Sequence, residues 1–228
     1  MLELVLAAIA FTGSHMIMSH GAIRSGLIAR LGLWPHRLVY SVIAISTLAW
    51  LVLAYRAAPD QALFHAPIAL KHMPLSLMFF AAILLVGGYT IVNPSALGME
   101  NAKPARTVPC ILKITRAPVM WGCGLFSFSH MLANPDMASW LFFGSLTVLA
   151  LAGGWHLDRR KQGEGEARWI ELAGQTSFIP FAALVSRRTK LRFREISWWR
   201  LGLAFVLYAG MLAAHSAVIG ISPIPLPK

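Results

Sequence analysis

Charge is scarce in this chain, and negative charge most of all. Only 13% of the 228 residues are charged, and nine Asp and Glu stand against 20 Lys and Arg. A soluble globular domain carries about 25% charge, so the composition excludes an ordinary water-borne fold. The two cysteines, Cys110 and Cys123, exclude a disulfide framework. No glycine-rich phosphate loop, metalloprotease helix motif or nucleophile elbow occurs, and there is no internal repeat or low-complexity tract. Apolar residues are abundant instead. They make up 57% of the chain, and the mean hydropathy is +0.63, the signature of an integral membrane protein. The net charge of +11 does not indicate nucleic acid, because the cations fall between apolar stretches. Lipid headgroups and membrane orientation account for them.

About 20 apolar residues cross a bilayer core of roughly 30 Å. Six stretches fit or approach that length: Leu2–Ala22, Leu38–Tyr55, Met73–Val92, Pro118–Leu132, Met137–His156 and Leu201–Gly220. The fourth is short. Asn134–Pro135–Asp136 is a tight turn signal that makes the fourth and fifth a helical hairpin. All Lys and Arg except Arg56, Lys71 and Lys228 fall in the connections after spans one, three and five. By the positive-inside rule those connections are cytoplasmic and both termini periplasmic. No cleavable leader is evident, so the first stretch reads as a retained span. The expectation is an all-α, polytopic helical bundle of about six transmembrane helices. It forms one domain over 1–228, with a basic cytoplasmic loop at 158–199. Within that loop Glu164–Leu172 reads as a short amphipathic helix. Phe178–Val185 is apolar but too short to span, so it lies in the interface or re-enters, and Arg187–Arg194 adds a basic run; the segment reads as an inner-leaflet anchor, with a gate or haem-facing lid as the alternative.

Three histidines, His15, His130 and His215, sit inside stretches that hold almost no other ionisable group. An imidazole in hydrocarbon needs polar partners and marks a functional site by default. Each has small hydroxyl neighbours: Ser14, Ser127 and Ser129, and Ser216. One histidine is explained by a bond to a serine or carbonyl on a neighbouring helix. Three point to a shared metal or cofactor, since neutral imidazole is a common metal ligand. Zinc needs three or four N, S or O ligands, and the spans offer only Glu3 and Cys123 beside the imidazoles. A haem needs one or two axial histidines and an apolar slot. Its propionates need cations near the membrane surface, for which Arg24, Arg116 and Arg200 are candidates. At ~1.5 Å per residue, His130 and His215 lie at similar depths, about 18 and 22 Å from the cytoplasmic ends of their spans, and His15 lies nearer the cytoplasm. His20, His36, His65, His72 and His156 fall at span ends and read as interfacial. Cys123 reads as a small core residue, Cys110 as a free loop thiol, and the eight tryptophans as an aromatic belt.

Several runs carry a resemblance. Lys113–Pro118, Trp121–Gly122 and Ser129–Asn134 form the specific central block. Gly13–His15, Arg37–Ser41, Trp155–Arg160, Thr176–Phe181 and Ala214–His215 with Gly220 extend it over nearly the whole chain. This pattern resembles the NnrU family of membrane proteins, which is related to the plant 15-cis-zeta-carotene isomerase, a haem b enzyme. The resemblance implies a haem b cofactor whose iron is held by His15 and His130, with His215 as the alternative. That differs from the depth estimate, which pairs His130 with His215. Two positions depart from the pattern: Ala117 stands where the family usually has a histidine between Arg116 and Pro118, and Ser127 stands where the plant enzyme has a cysteine three residues before its second haem histidine. The leading expectation is a multi-pass protein of the bacterial inner membrane, with a redox-linked role in denitrification or nitric oxide metabolism and no nucleic-acid partner. A redox partner or a hydrophobic small molecule would engage it. Two alternatives stay open, a haem-dependent cis–trans isomerase of a polyene and a non-catalytic assembly factor. Catalytic residues are not identified.

Overall fold

A backbone removed from water must satisfy its own polar groups, and a single long apolar segment does so as an α-helix. In the computed structural model, which describes residues 1–96, 99 and 107–224, the chain is accordingly helical. Along the chain run α1 (Leu2–Ser19), α2 (Gly21–Leu31), α3 (Leu33–Ala57), α4 (Ile68–Tyr89), α5 (Cys110–Ile114), α6 (Pro118–Ala133), α7 (Met137–Gly163), α8 (Ala167–Gln175), α9 (Ala182–Val185) and α10 (Trp198–Ile219). A 3-10 turn at Phe193–Glu195 precedes α10. There is no β-strand among the described residues. Lys103, Arg106 and Lys228, which contributed to the charge pattern, lie outside them.

Five helices, α1, α3, α4, α7 and α10, have the length and apolarity to cross a membrane. The sixth expected span is α6, whose 16 residues reach about 24 Å at ~1.5 Å per residue, short of a roughly 30 Å core. It is held between α4 and α7 rather than standing as an equal span. Small residues permit the close approach. A Cβ at Gly88 would lie 2.7 Å from a Val119 methyl, and one at Gly122 would lie 2.8 Å from Leu85.

The first apolar stretch ends earlier than its hydropathy implies. His20 adopts extended backbone (ψ 131) and separates α1 from α2, which Gly32 closes at φ 86. Helices α1, α3 and α7 share a core of Leu4, Ala7, Phe11, Leu51, Ala54 and Ala138. The α6–α7 turn is pinned to the α3–α4 connection by Leu63 N–H to Pro135 C=O and Met137 N–H to Gln61 C=O, both 2.8 Å. Asp136 caps α7, accepting the Ser139 N–H at 2.8 Å. This pinned end, with the chain's start and the end of α10, is the hairpin end. The opposite, basic end carries α2, α5, α8 and α9.

The long basic segment is folded, not loose. Helix α7 continues to Gly163, past the expected end at His156. The amphipathic helix forms at Ala167–Gln175, slightly later than Glu164–Leu172, with Trp169 and Leu172 buried. The Phe178–Val185 run tucks against the α5–α6 junction through Arg116 N–H to Ser177 C=O and Phe181 N–H to Ile114 C=O, both 2.8 Å. Ala183 is buried there, while Val185 stays on the outside.

Candidate functional site

A cavity of 610 Å³ opens between α4, α6 and α10, inside the ~300–1,000 Å³ range of small-molecule and cofactor sites. Its α4 wall is a stripe at helical spacing, Lys71, Leu75, Met78, Ala82 and Leu85, which share one face because residues three and four apart align. Fourteen residues at ~1.5 Å rise give the stripe a length of about 21 Å. Phe126, His130 and Ala133 line it from α6, and Tyr208, Met211 and His215 from α10. Ala82, Val86 and Ala204, packed with Ile83 and Tyr208, close the basic-end side.

His130 and His215 therefore share this cavity. Their axial levels can be read on α4. Gly122 abuts Ala81 and Leu85, which puts His130 about level with Leu75. Phe79 meets Tyr208 with ring centroids 5.6 Å apart, which puts His215 about level with His72. The two imidazoles thus sit within about one helical turn, ~5.4 Å, of each other along the bundle. His130 Nδ1 bonds the Phe126 carbonyl at 2.8 Å, and His215 Nδ1 bonds the Ile221 carbonyl at 2.8 Å. A carbonyl only accepts, so each Nδ1 carries a proton, and in the neutral ring the lone pair is left on Nε2, the tautomer that suits a metal ligand. His15 and His72 show the same bond to a carbonyl one turn back. The shared cavity, not the tautomer, is what singles out His130 and His215. Rings of Phe126 and Phe143 pack on His130 at centroid distances of 4.4 and 4.8 Å, fixing its plane.

His15 lies elsewhere. It packs on Phe11 and Tyr40 at 4.5 and 5.6 Å, and its neighbour Met16 faces Gly153 of α7. His130 meets α7 at Phe143. Ten residues of α7 separate the two levels, about 15 Å along the axis. His15 and His130 thus stand at different levels and share no contact among those described, whereas the resemblance implies them on one iron. His15 belongs to a polar group at the basic end. There His20 and His156 stack at 5.7 Å, and His36 lies near Tyr40 at 6.5 Å. His36 is buried, and its Nδ1, like His156 Nε2, has no hydrogen-bond partner among the described residues. His36 and His156 are thus more enclosed than an interfacial reading suggests, while His20 is exposed.

Arg116 is also placed away from the cavity. Its guanidinium is buried and forks onto Asp158, with Nε donating to Oδ1 and Nη2 to Oδ2 at 2.7 Å, while Nη1 donates to the Thr176 carbonyl at 3.0 Å. Around this pair, Thr115 Oγ1 and Trp121 Nε1 both donate to the Phe178 carbonyl, at 2.6 and 2.8 Å. Gln162 donates to Asp158 at 2.8 Å, and Arg188 to Thr176 at 2.9 Å. Three of the family-like runs, Lys113–Pro118, Trp155–Arg160 and Thr176–Phe181, thus meet in one knot. Asp158, its centre, was not foreseen. Its signal was an acid standing among cations in a chain with few acids.

Other expectations are refined by the fold. The Ser14, Ser127 and Ser129 hydroxyls turn back on their own helices, to carbonyls of Phe11, Cys123 and Phe126, and so do not bridge between helices. Cys123 is exposed on the outer face of α6 instead of sitting in the core, because its neighbours Gly122 and Gly124 take the packed sides. Cys110 is partly enclosed, and burial pushes its thiol above the usual range.

A bundle of apolar, membrane-length helices around a histidine-bearing apolar cavity defines a multi-pass membrane protein. The chain belongs to the NnrU family, whose model, described as NnrU protein, matches residues 3–223. No curated protein and no solved structure matches it.

Proposed function

We propose that the α4–α6–α10 cavity is a prosthetic-group site for haem b, whose iron His130 and His215 would hold, and that the protein serves a redox-linked step of nitrogen-oxide metabolism in the bacterial inner membrane. One observation carries the reading: two imidazoles on separate helices, at one level, share a single apolar cavity and have their Nε2 atoms uncommitted. Among the described residues no cluster of three or more His, Cys, Asp or Glu could hold a metal ion. Two imidazoles suit a group that brings most of its ligands with it, which a zinc ion does not. When bound, haem would supply one-electron chemistry. The chain's own part is to orient. The Phe126 and Ile221 carbonyls hold the imidazole tautomers, the flanking phenylalanines fix the His130 plane, and the aliphatic wall excludes water.

The decisive measurement is a reduced-minus-oxidised absorption spectrum of the purified protein, with single phenylalanine substitutions. A Soret band should be present in the wild type and in His15→Phe, and should be lost or shifted in His130→Phe and His215→Phe. A colourless protein from iron-replete cells, free of tetrapyrrole, would overturn the reading and leave an assembly role. A band lost only in His15→Phe would move the site to the basic end.

The cavity's shape favours one second reading, a cis-polyene isomerase. A lining about 21 Å long and almost wholly apolar suits a long hydrocarbon better than a small polar substrate. Expression in cells that accumulate a poly-cis-carotene should then change the isomer profile of the pigment.

A further inference from the structure

Lys71 is one of the three cations that break the charge alternation, and it lines the cavity in the first turn of α4. It stands close to the level of His130 and His215, so an ammonium and two imidazoles, with Asn134 and Ser222, ring the hairpin end of a mostly apolar space. No acidic residue lines the cavity, and Lys71 has no ion pair or hydrogen bond among the described residues. The cations expected to serve an anionic ligand are committed elsewhere. Arg116 is filled by Asp158 and Thr176. Arg200 donates to the Thr90 hydroxyl and carbonyl at 2.9 and 3.1 Å, at the far end of α4. Arg24 is on α2, at the basic end. Pro74 lacks the N–H that would bond the Leu70 carbonyl, which loosens the turn that carries Lys71.

We infer that the ligand of this cavity is an apolar body bearing a carboxylate, and that Lys71 seats the carboxylate at the hairpin-end mouth. The inference deepens the site reading above and rests on the same cavity. A lysine stem lies along apolar wall while its ammonium stays at the rim. A carboxylate there meets the one uncompensated charge of the lining. Two ligand sources share this chemistry, the propionate of an iron porphyrin and the head of a long-chain fatty acid.

The test uses the full chain in nanodiscs of neutral phospholipid. Affinities are measured for haem b and its dimethyl ester by Soret absorbance, and for cis-parinaric acid and its methyl ester by fluorescence. In at least one pair the acid should bind about fivefold more tightly than the ester, the size of a partly exposed ion pair. Lys71→Gln should bring that ratio to one, Lys71→Glu should invert it, and Arg56→Gln, a cation outside the lining, should leave it unchanged. High salt should shrink the ratio, since screening reaches about 3 Å at 1 M. A ratio that survives Lys71→Gln, or a ratio of one in the wild type, overturns the inference. Haem and its ester binding equally well through His130, with parinarate and its ester likewise equal, would remove only this inference and leave the haem site standing. Acid-selective parinarate binding with no porphyrin binding would remove the haem reading and support this one. Binding of neither pair would remove both.

Discussion

At the basic end, Arg116 has its planar fork filled by Asp158 and Thr176, and the surrounding hydroxyl, indole and amide groups close on carbonyls and the carboxylate. At the hairpin end, His130, His215 and Lys71 border a 610 Å³ space and each retains unused bonding capacity. Both regions place polar groups among apolar helices. In the Arg116–Asp158 knot the polar groups answer one another within the chain, so they hold the fold. In the second no partner among the described residues answers them, which is the observation the proposed ligand site rests on. The difference separates the part of this protein that fastens helices together from the part proposed above to bind a ligand.

The knot should respond most to mutation. A buried ion pair adds little net stability over well-packed apolar residues, yet removing one partner strands a buried charge at a cost of about 3–5 kcal/mol. Asp158→Ala should therefore lower the thermal unfolding midpoint in detergent strongly. The double change Arg116→Met with Asp158→Leu should recover most of the loss, because it removes both charges. A single substitution that costs no more than a surface one would mean that the two ends do not differ as described. The cavity histidines give the opposite pattern: their phenylalanine variants should keep the midpoint nearly unchanged while altering the spectrum.

Between these extremes lies the α4–α6 contact that supports the cavity. A methyl on Gly88 would lie 2.7 Å from Val119 Cγ2 and 3.1 Å from the Val119 backbone N. The nearby backbone cannot rotate away as a flexible side chain can. Gly88→Ala should cost about 1–3 kcal/mol, the usual range for overpacking, and should weaken ligand binding with it, since α6 carries His130. Loss of stability with unaltered binding would show that the cavity does not depend on this contact.

The helices were legible because lipid leaves one backbone solution for a long apolar run. Asn134–Pro135–Asp136 announced the α6–α7 turn for an equally local reason. Helix α2 was not legible, since the break at His20 lies inside continuous apolar sequence and Gly21 gives only a weak local signal. In the site, counting residues from span ends puts His130 and His215 at one depth, and both line the cavity. Where His15 sits around the bundle depends on which helices pack together, and hydropathy is blind to that. Arg116 and Asp158 are 42 residues apart, a separation with no periodic signature. Lys71 was visible only as an exception to the charge pattern, and its meaning came from the wall it stands on.

The smallest effect concerns the rim of the basic end, where Lys113 Nζ donates to Glu195 Oε2 at 2.6 Å and to the Lys190 carbonyl at 3.2 Å. The hydrogen bond from Lys113 holds the Glu195 carboxyl below its usual range. A carboxylate with a depressed folded value stabilises the fold above its unfolded value, about 4.3 for glutamate, and loses that contribution as pH falls through the folded value. Acidification from pH 6 to pH 3 should thus lower the unfolding midpoint of the wild type slightly more than that of Glu195→Gln. Glu195 is partly exposed, so solvent screens the pair and the difference should shrink further in high salt. Equal acid responses in the two proteins would show that this clip adds nothing, leaving the buried Arg116–Asp158 pair as the basic end's main electrostatic fastening. A larger fall in the unfolding midpoint for Glu195→Gln than for Asp158→Ala at neutral pH would reverse the ranking on which the contrast between buried and exposed charge depends.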